Sequence, residues 1–321
     1  MKKILYSLIA ILAMVISSCS NDDIEVTTVS NITFELNPET VVSGLFEHHA
    51  GDLKALNKGT TLHVSLYIYD KDGKLVRKDG DTFAAYTQIM TSTQELKTGS
   101  YTAVAITHIT GEKDYWTFSD EENLNEFRIK DNNIVGGKSK ILGIKVIDFT
   151  VDKDSRTIKI DIENAGAVAF VQMLNWNKYS NVTNYYLAGK QACDYVSFSN
   201  NKEIYYSLRS KDVYSYFLAY WNYNSESSSG IGYFFTFPIK KASMRFGAKT
   251  TDGKYIEMGN HLVDDINVGE TYWIIYDFDT KEAIWVDKTP SNQSMSNSKA
   301  TDNITSDLHV KYSDEGVISF K

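Results

Sequence analysis

Residues 62–76 read LHVSLYIYDKDGKLV, and this stretch predicts the fold class. Its first half alternates apolar and polar side chains, which is the pattern of a β-strand that buries one face. The turn that follows contains Asp72-Gly73, and Asp-Gly supplies the backbone angles that a tight hairpin requires. Lys74-Leu75-Val76 then begins the returning strand. The buried face of the first strand is predicted to consist of Leu62, Val64, Leu66 and Ile68.

The same period of two extends outward along most of the chain. Residues 32–36 and 158–162 alternate in this way, and a second Asp-Gly turn occurs at Asp252-Gly253. Helical signals are sparse. Ser119 and Glu122 form one capping box, which predicts a short helix over the residues that follow. The chain is therefore predicted to be all-β.

A weak internal repeat predicts two domains. Residues 96–106 contain a turn glycine and a tyrosine before a long apolar strand, and residues 266–276 repeat this order. Each segment is interpreted as a central strand of its own β-sandwich, which divides the chain into residues 31–151 and 152–289. The polar stretch at residues 151–155 supports that boundary. One larger sheet protein is the alternative.

The N-terminus has the order of a bacterial lipoprotein signal. Two lysines precede an apolar run over residues 4–16, and the run leads into Ile16-Ser17-Ser18-Cys19. A run of this length is too short to cross a bilayer as a helix, which takes about 20 residues. Residues 1–18 are therefore predicted to be a signal peptide, with cleavage before Cys19 and acylation (palmitate) of that cysteine. Ordinary secretion with a coincidental cysteine is the alternative.

Composition adds to this predicted location. Residues 19–30 would link the acylated cysteine to the first sandwich, and they include the acidic pair Asp22-Asp23, which resembles a surface-export signal. The chain carries 33 Lys and Arg against 41 Asp and Glu, a net charge of −8. Nucleic acids and anionic lipid headgroups favour basic surfaces, so neither is a predicted partner. We expect an outer-membrane lipoprotein, held by its acyl group and exposed at the cell surface.

The C-terminal residues 290–321 differ from both predicted sandwiches. Residues 290–306 are rich in Ser and Asn and are interpreted as a flexible linker. Strand-like segments follow at residues 308–312 and 316–320. Such a tail either folds back as an edge strand or is given to a neighbouring molecule, and both alternatives remain open. Its apolar residues are Leu308, Val310, Tyr312, Val317, Ile318 and Phe320.

These features together resemble the fimbrillin family, whose members form stalk, tip and anchor subunits of fimbriae in Bacteroidales-type bacteria. The resemblance rests on the lipoprotein leader, the hairpin at residues 66–76 and the glycine–tyrosine element at residues 96–106. It implies two tandem transthyretin-like β-sandwiches and assembly with other fimbrial subunits by strand donation. In the family's stalk subunits an Arg-directed protease removes the first strand, and the C-terminal strand of another subunit fills the groove.

The chain departs from the stalk pattern in one respect. No arginine occurs between Cys19 and Val76, and the first is Arg77, just past the hairpin. Trimming of the strand at residues 32–36 therefore has no obvious site. The resemblance then implies an anchor or accessory subunit, which keeps its lipid and its first strand and contributes to adhesion. The six apolar tail residues named above are the ones expected to fill a partner's groove.

The sequence offers little that points to catalysis. Glu47-His48-His49 lacks the converging third or fourth ligand that a metal site needs. Asp70-Lys71-Asp72-Gly73 resembles the start of a calcium loop but has no downstream Glu at the required spacing, so the hairpin interpretation is favoured. No nucleophile elbow, phosphate loop or zinc-protease motif occurs. We predict a non-enzymatic protein without metal or cofactor.

An aromatic cluster in the second half supports a different function. Tyr220, Trp221 and Tyr223 lie in a tyrosine-rich region, and a polar loop extends over residues 222–230. Exposed aromatic rings stack on sugar faces. These three residues are therefore the candidate contacts of the alternative function, a surface lipoprotein that captures host or dietary glycans. The other interpretation is packing on a sheet face, because tyrosine has an apolar body and a hydroxyl that reaches water.

Overall fold

The fold is built from β-strands, which confirms the all-β prediction. It is seen in a computed structural model. One 3-10 turn, η1 (Glu39–Val41), follows the first strand. Within the described part of the chain no helix has the length and apolar character that crossing a bilayer requires. The structure describes residues 28–42, 56, 58–111, 113–132, 140–175, 182–190, 193–199, 203–208, 214–217, 220–222, 229–277 and 279–290.

The strands fall into two groups along the chain. The first group is β1 (Val29–Asn37), β2 (Thr61–Asp70), β3 (Leu75–Phe83), β4 (Met90–Lys97), β5 (Gly99–Thr110), β6 (Trp116–Ser119), β7 (Arg128–Asp131), β8 (Leu142–Val151), β9 (Arg156–Asp161) and β10 (Glu163–Asn164). The second group is β11 (Ala167–Leu174), β12 (Val182–Lys190), β13 (Cys193–Phe198), β14 (Ile204–Leu208), β15 (Tyr214–Phe217), β16 (Tyr220–Asn222), β17 (Ser229–Thr236), β18 (Ile239–Thr250), β19 (Tyr255–Ile266), β20 (Glu270–Asp277) and β21 (Glu282–Pro290).

These strands form five sheets. The N-terminal sheets have the orders β4-β1-β9 and β10-β8-β5-β2-β3. The C-terminal sheets have the orders β16-β17-β11-β20-β21 and β15-β12-β18-β19. The fifth, which we call the shared sheet, has the order β14-β13-β7-β6 and so combines strands of both groups.

The predicted hairpin at residues 62–76 is confirmed. β2 pairs antiparallel with β3, the amide of Asp70 donates to the carbonyl of Lys74 (2.9 Å), and Gly73 has a φ of +78°. The alternating residues of β2, at most 1% exposed, are Leu62, Val64, Leu66 and Ile68.

Both faces of β2 are covered, although the alternating pattern predicts only one buried face. One face of its sheet packs on β1, where the rings of Phe34 and Phe149 are 5.3 Å apart. On the other face Tyr67 contacts the ring of Phe127 at 5.0 Å, and the Tyr69 hydroxyl donates to the carbonyl of Glu121 (2.9 Å). The residues between β5 and β8 therefore form a second covering layer.

The short helix predicted after Ser119 is wrong. Its residues form turns, and Asp120 has a φ of +57°. The amide of Leu75 donates to the carbonyl of Glu122 (2.9 Å), and the amide of Leu124 donates to the carbonyl of Gly73 (2.8 Å). Because these backbone groups pair with the neighbouring hairpin, they cannot also pair within a helix.

The chain passes from the N-terminal to the C-terminal sheets at Ala165–Gly166. β9 and β10 lie beyond residues 151–155, yet β9 runs parallel to β1 and β10 pairs antiparallel with β8. The Gly166 amide donates to Oδ1 of Asn164 (2.9 Å), and a Cβ at this position would collide with the carbonyl of Thr236. Glycine therefore allows the close approach of the two groups of strands at this crossing.

Candidate functional site

The first strand is the central strand of its sheet. Residues 29–36 of β1 pair antiparallel with residues 90–97 of β4, and residues 32–37 pair in parallel with residues 156–161 of β9. Both hydrogen-bonding edges of β1 are therefore occupied by strands of the same chain. A strand in this position leaves no vacancy for a strand from another molecule.

The inward side chains of β1 are completely buried. Ile32, Phe34 and Leu36 are each 0% exposed, and they alternate with side chains that face solvent. Burial of an apolar side chain of this size contributes about 1.5–3 kcal/mol, so the three together contribute roughly 6 kcal/mol. Removal of β1 would open a groove between β4 and β9 with three apolar sockets.

Polar contacts fix both ends of β1. The Ser30 hydroxyl donates to the carbonyl of Asp152 at 2.5 Å, and Nδ2 of Asn37 donates to Oδ1 of Asp161 at 3.0 Å. Directly after the strand, the Thr40 hydroxyl donates to the carbonyl of Ile162 at 2.6 Å. Each contact joins β1 or η1 to the segment around β9, so the strand is held at both ends as well as along its edges.

Arg77 lies inside a paired strand. It is opposite Ile68 in the pairing of β3 with β2. Its guanidinium donates to the carbonyl of Val76 (2.8 Å) and to that of Glu95 on β4 (3.3 Å). Proteases cut exposed, mobile loops in preference to paired strands. The first arginine after Cys19 is therefore in a poor position for proteolysis, and cleavage there would fall beyond β2 in any case.

A second contact closes the gap between β3 and β4. Oδ2 of Asp79 on β3 accepts hydrogen bonds from the Ser92 hydroxyl (2.5 Å) and from Nε2 of Gln94 (3.2 Å). Together with Arg77, this carboxylate ties the edge of the five-stranded sheet to the edge of the sheet that contains β1. Strand edges covered in this way are protected from pairing with another chain.

Two histidines meet on the covered face of the five-stranded sheet. The rings of His63 and His108 lie 5.2 Å apart on neighbouring strands, and the ring of Phe118 lies 4.9 Å from His108. Burial, and then the charge of His63, lower the pKa of His108 to about 3. Burial, followed by the charge of Lys78, also lowers the pKa of His63. Both rings therefore favour the neutral form at neutral pH.

The predicted site residues are placed unevenly. Tyr220 and Trp221 lie in β16, an edge strand, where they pair with Tyr233 and Gly232 of β17. Cys19, Tyr223 and all six apolar residues of the tail lie outside the described residues. In the described ranges no group of three or more His, Cys, Asp or Glu side chains is arranged to hold a metal ion.

The hairpin of β6 and β7 was not predicted. β7 pairs with β13, which joins residues 128–130 to residues 195–197. A local signal was present, since residues 127–130 read FRIK and alternate apolar with polar side chains. The sequence of such a short segment does not, however, indicate that its partner is the distant strand β13.

Comparison with known proteins found likeness only among solved structures. No protein-family model matches the sequence, and no curated protein matches it. A candidate polysaccharide-binding protein of Bacteroides thetaiotaomicron is 12% identical over 80% of this chain and 96% of its own, with a TM-score of 0.49. A candidate cell adhesion protein of Bacteroides uniformis is 10% identical over 84% of this chain and 99% of its own, with a TM-score of 0.49.

A third match is the tip fimbrial protein Mfa3 of Porphyromonas gingivalis, with a C-terminal truncation. It is 9% identical over 81% of this chain and 98% of its own, with a TM-score of 0.44. The chain is similar to adhesins and fimbrial proteins. Because each of these three TM-scores is below 0.5, the likeness by itself establishes no function for the chain.

Proposed function

We propose that the chain is a non-enzymatic cell-surface lipoprotein and a fimbrial subunit of the anchor or accessory kind, which contributes to adhesion. In this proposal the N-terminal and C-terminal sheets are two tandem transthyretin-like sandwiches, and acylated Cys19 holds the protein in the outer membrane. The observation that carries the proposal is the position of β1, which is paired along both edges and buries Ile32, Phe34 and Leu36 completely.

The placement of β1 matters because it determines which partner the subunit can take. A subunit accepts a donated strand only if it has an open groove. Here the chain fills that groove itself, and no arginine precedes Arg77 to allow release of the strand. The subunit therefore joins a neighbour by giving a strand. The proposed donor is the C-terminal tail, whose apolar residues alternate at Leu308, Val310 and Tyr312.

The proposal is tested in cells by three strains. One carries Cys19→Ser, which removes the acyl site, and a second carries Ser at positions 308, 310 and 312, which keeps the length of the tail. The control carries Ala at Asn303 and Thr305, in the linker. We expect loss of the protein from the outer membrane in the first strain, and release of fibres from the cell in the second. Normal fibre attachment in the second strain would reject strand donation.

Glycan capture is the second candidate function. It is favoured by the position of Tyr220 and Trp221 in an edge strand, where one side of the strand has no neighbour among the described residues. Glycan arrays, followed by titration of Trp221 fluorescence, test it against a Trp221→Phe control. No response to any glycan would remove this function.

A further inference from the structure

The β6–β7 hairpin belongs to both halves of the chain. It lies at residues 116–131, but it completes the shared sheet with β13 and β14. We infer that this hairpin is a clasp that makes the N-terminal and C-terminal sheets unfold as one unit. If the proposed function holds, the clasp also keeps an anchored subunit whole when force acts between membrane and fibre.

On one side the clasp is fastened to the C-terminal half by its backbone. Arg128, Ile129 and Lys130 pair with residues 195–197 of β13. The Arg128 guanidinium lies 5.1 Å from the ring centre of Tyr195, which adds a cation–π contact on the exposed side of the pair. Several backbone hydrogen bonds must therefore break together before the two halves can separate.

Trp116, at the start of the hairpin, adds an apolar contact to the same half. Its side chain is 6% exposed, and its ring lies 5.6 Å from that of Phe235 and 5.2 Å from that of Phe237. Both phenylalanines are buried; Phe235 lies within β17, and Phe237 directly follows it. A tryptophan in such a pocket buries a large apolar area, which makes it the main apolar anchor of the clasp.

On the other side the clasp covers the N-terminal sheets. Phe118 packs on His108 at 4.9 Å, and Phe127 packs on Tyr67 at 5.0 Å. The ring of Phe127 also lies 5.1 Å from that of Phe198 on β13. One side chain therefore touches both halves, so a movement of either half is transmitted to the other through a single buried ring.

A buried ion pair fixes the hairpin itself. Nζ of Lys140 lies 2.8 Å from Oδ1 of Asp131, and the two side chains are only 7% and 9% exposed. The same ammonium lies 5.8 Å from the ring centre of Trp116. A buried charge that loses its partner is strongly destabilising. Lys140 therefore fixes the position of Asp131, at the end of β7, relative to Trp116, at the start of β6.

The chain itself connects the two halves through a short segment, which makes fewer contacts between them than the clasp does. Within the described residues, the chain passes from one half to the other at Ala165–Gly166, where the Tyr206 hydroxyl donates to the carbonyl of Ala165 (2.8 Å). Two parts of a protein unfold together when the contacts between them outweigh the difference in stability between the parts. The clasp is the largest set of such contacts among the described residues, and it therefore sets the cooperativity.

Hydrogen exchange of the full chain, followed by mass spectrometry, tests the inference. Amides of β2 and β5 report the N-terminal sheets, and amides of β11 and β20 report the C-terminal sheets. Trp116→Ala and Phe198→Ala weaken the clasp, and Trp116→Leu replaces the first if it does not fold. The matched control is Phe34→Ala, which removes a fully buried ring from the N-terminal core, away from the clasp.

As urea is added to the wild type, we expect the two groups of amides to lose protection in one shared transition, and Phe34→Ala to move that transition for both groups. In the clasp variants the two groups should lose protection at different urea concentrations, so that at intermediate urea their protection differs by a factor of about 100. Two separate transitions in the wild type, or one shared transition in the clasp variants, would overturn the inference. Fibre attachment is measured independently, so failure of strand donation would leave the exchange result unchanged.

Discussion

The half-buried pair of histidines predicts that the protein loses stability in mild acid. His63 and His108 lie opposite each other on β2 and β5, with ring centres 5.2 Å apart. Burial, with the charge of His63 added, lowers the pKa of His108 from 6.5 to about 3. The unfolded chain has no such environment and keeps the ordinary pKa of histidine. Between pH 6.5 and about pH 3, His108 therefore binds a proton in the unfolded state but stays largely neutral in the folded state.

The sign and size of the effect follow from proton linkage. Below pH 6.5 the unfolded chain binds more protons than the folded chain, so the free energy of unfolding falls as the pH falls. The slope reaches about 1.4 kcal/mol per pH unit, and the loss continues until the pH approaches the folded pKa of about 3. Between pH 7 and pH 5 the loss from His108 alone is about 2 kcal/mol.

Urea unfolding at pH 7 and pH 5, followed by tryptophan fluorescence, measures this loss. His108→Phe is the informative variant, because phenylalanine keeps a ring against Phe118 and carries no titratable group. We expect the pH dependence of the variant to be less than half that of the wild type, with the remainder due to His63. An equal loss in both proteins would refute the assignment to His108.

Three further predictions concern the first strand and the clasp. Phe34→Ala should lower the free energy of unfolding by about 3–5 kcal/mol, whereas Ala at the exposed Asn31 should change it by less than about 0.5 kcal/mol in the same urea titration; equal losses would contradict the burial of β1. Lys140→Met should cost about 3–5 kcal/mol in thermal unfolding, and the double variant that adds Asp131→Leu should recover most of it; no recovery would argue against the ion pair. Lys58→Arg places an arginine in the exposed turn before β2, so an Arg-specific protease should cut there, and the fragment with β1 should copurify until denaturant is added; its release without denaturant would show that β1 is held weakly.

The local parts of the fold could be predicted from the sequence. The hairpin of β2 and β3 follows from an alternating pattern and an Asp-Gly turn, both encoded within fifteen neighbouring residues. The repeat at residues 96–106 and 266–276 also has a structural counterpart, since β5 and β20 each have a neighbour on both sides. Short-range patterns of this kind are determined by side-chain alternation and turn chemistry alone.

The long-range pairings could not be predicted. β9 follows the polar turn at residues 152–155, which is why the sequence placed it in the second sandwich, but its partner is β1, over a hundred residues earlier. The pairing of β7 with β13 also joins segments more than 60 residues apart. The partner of such a strand depends on which apolar faces the rest of the fold leaves uncovered. Local sequence does not contain that information.

The candidate site was predicted in outline. The absence of arginine between Cys19 and Val76 can be read directly from the sequence, and β1 was predicted as a strand from its alternation. Its position as the central strand of a sheet was not, because alternation looks the same in central and edge strands. The hydrogen bonds of Ser30 and Asn37 to residues of the β9 region are also beyond a sequence argument, because they join positions more than 120 residues apart.

The arrangement of β1 has a mechanical consequence. A force applied at its N-terminal end acts along the strand, and the strand is paired with β4 on one edge and β9 on the other. Such a pull loads the hydrogen bonds of both edges in shear, so they must fail together rather than open one after another like a zipper. Under the proposed anchoring at Cys19, β1 would therefore resist detachment best in the direction in which that anchor pulls.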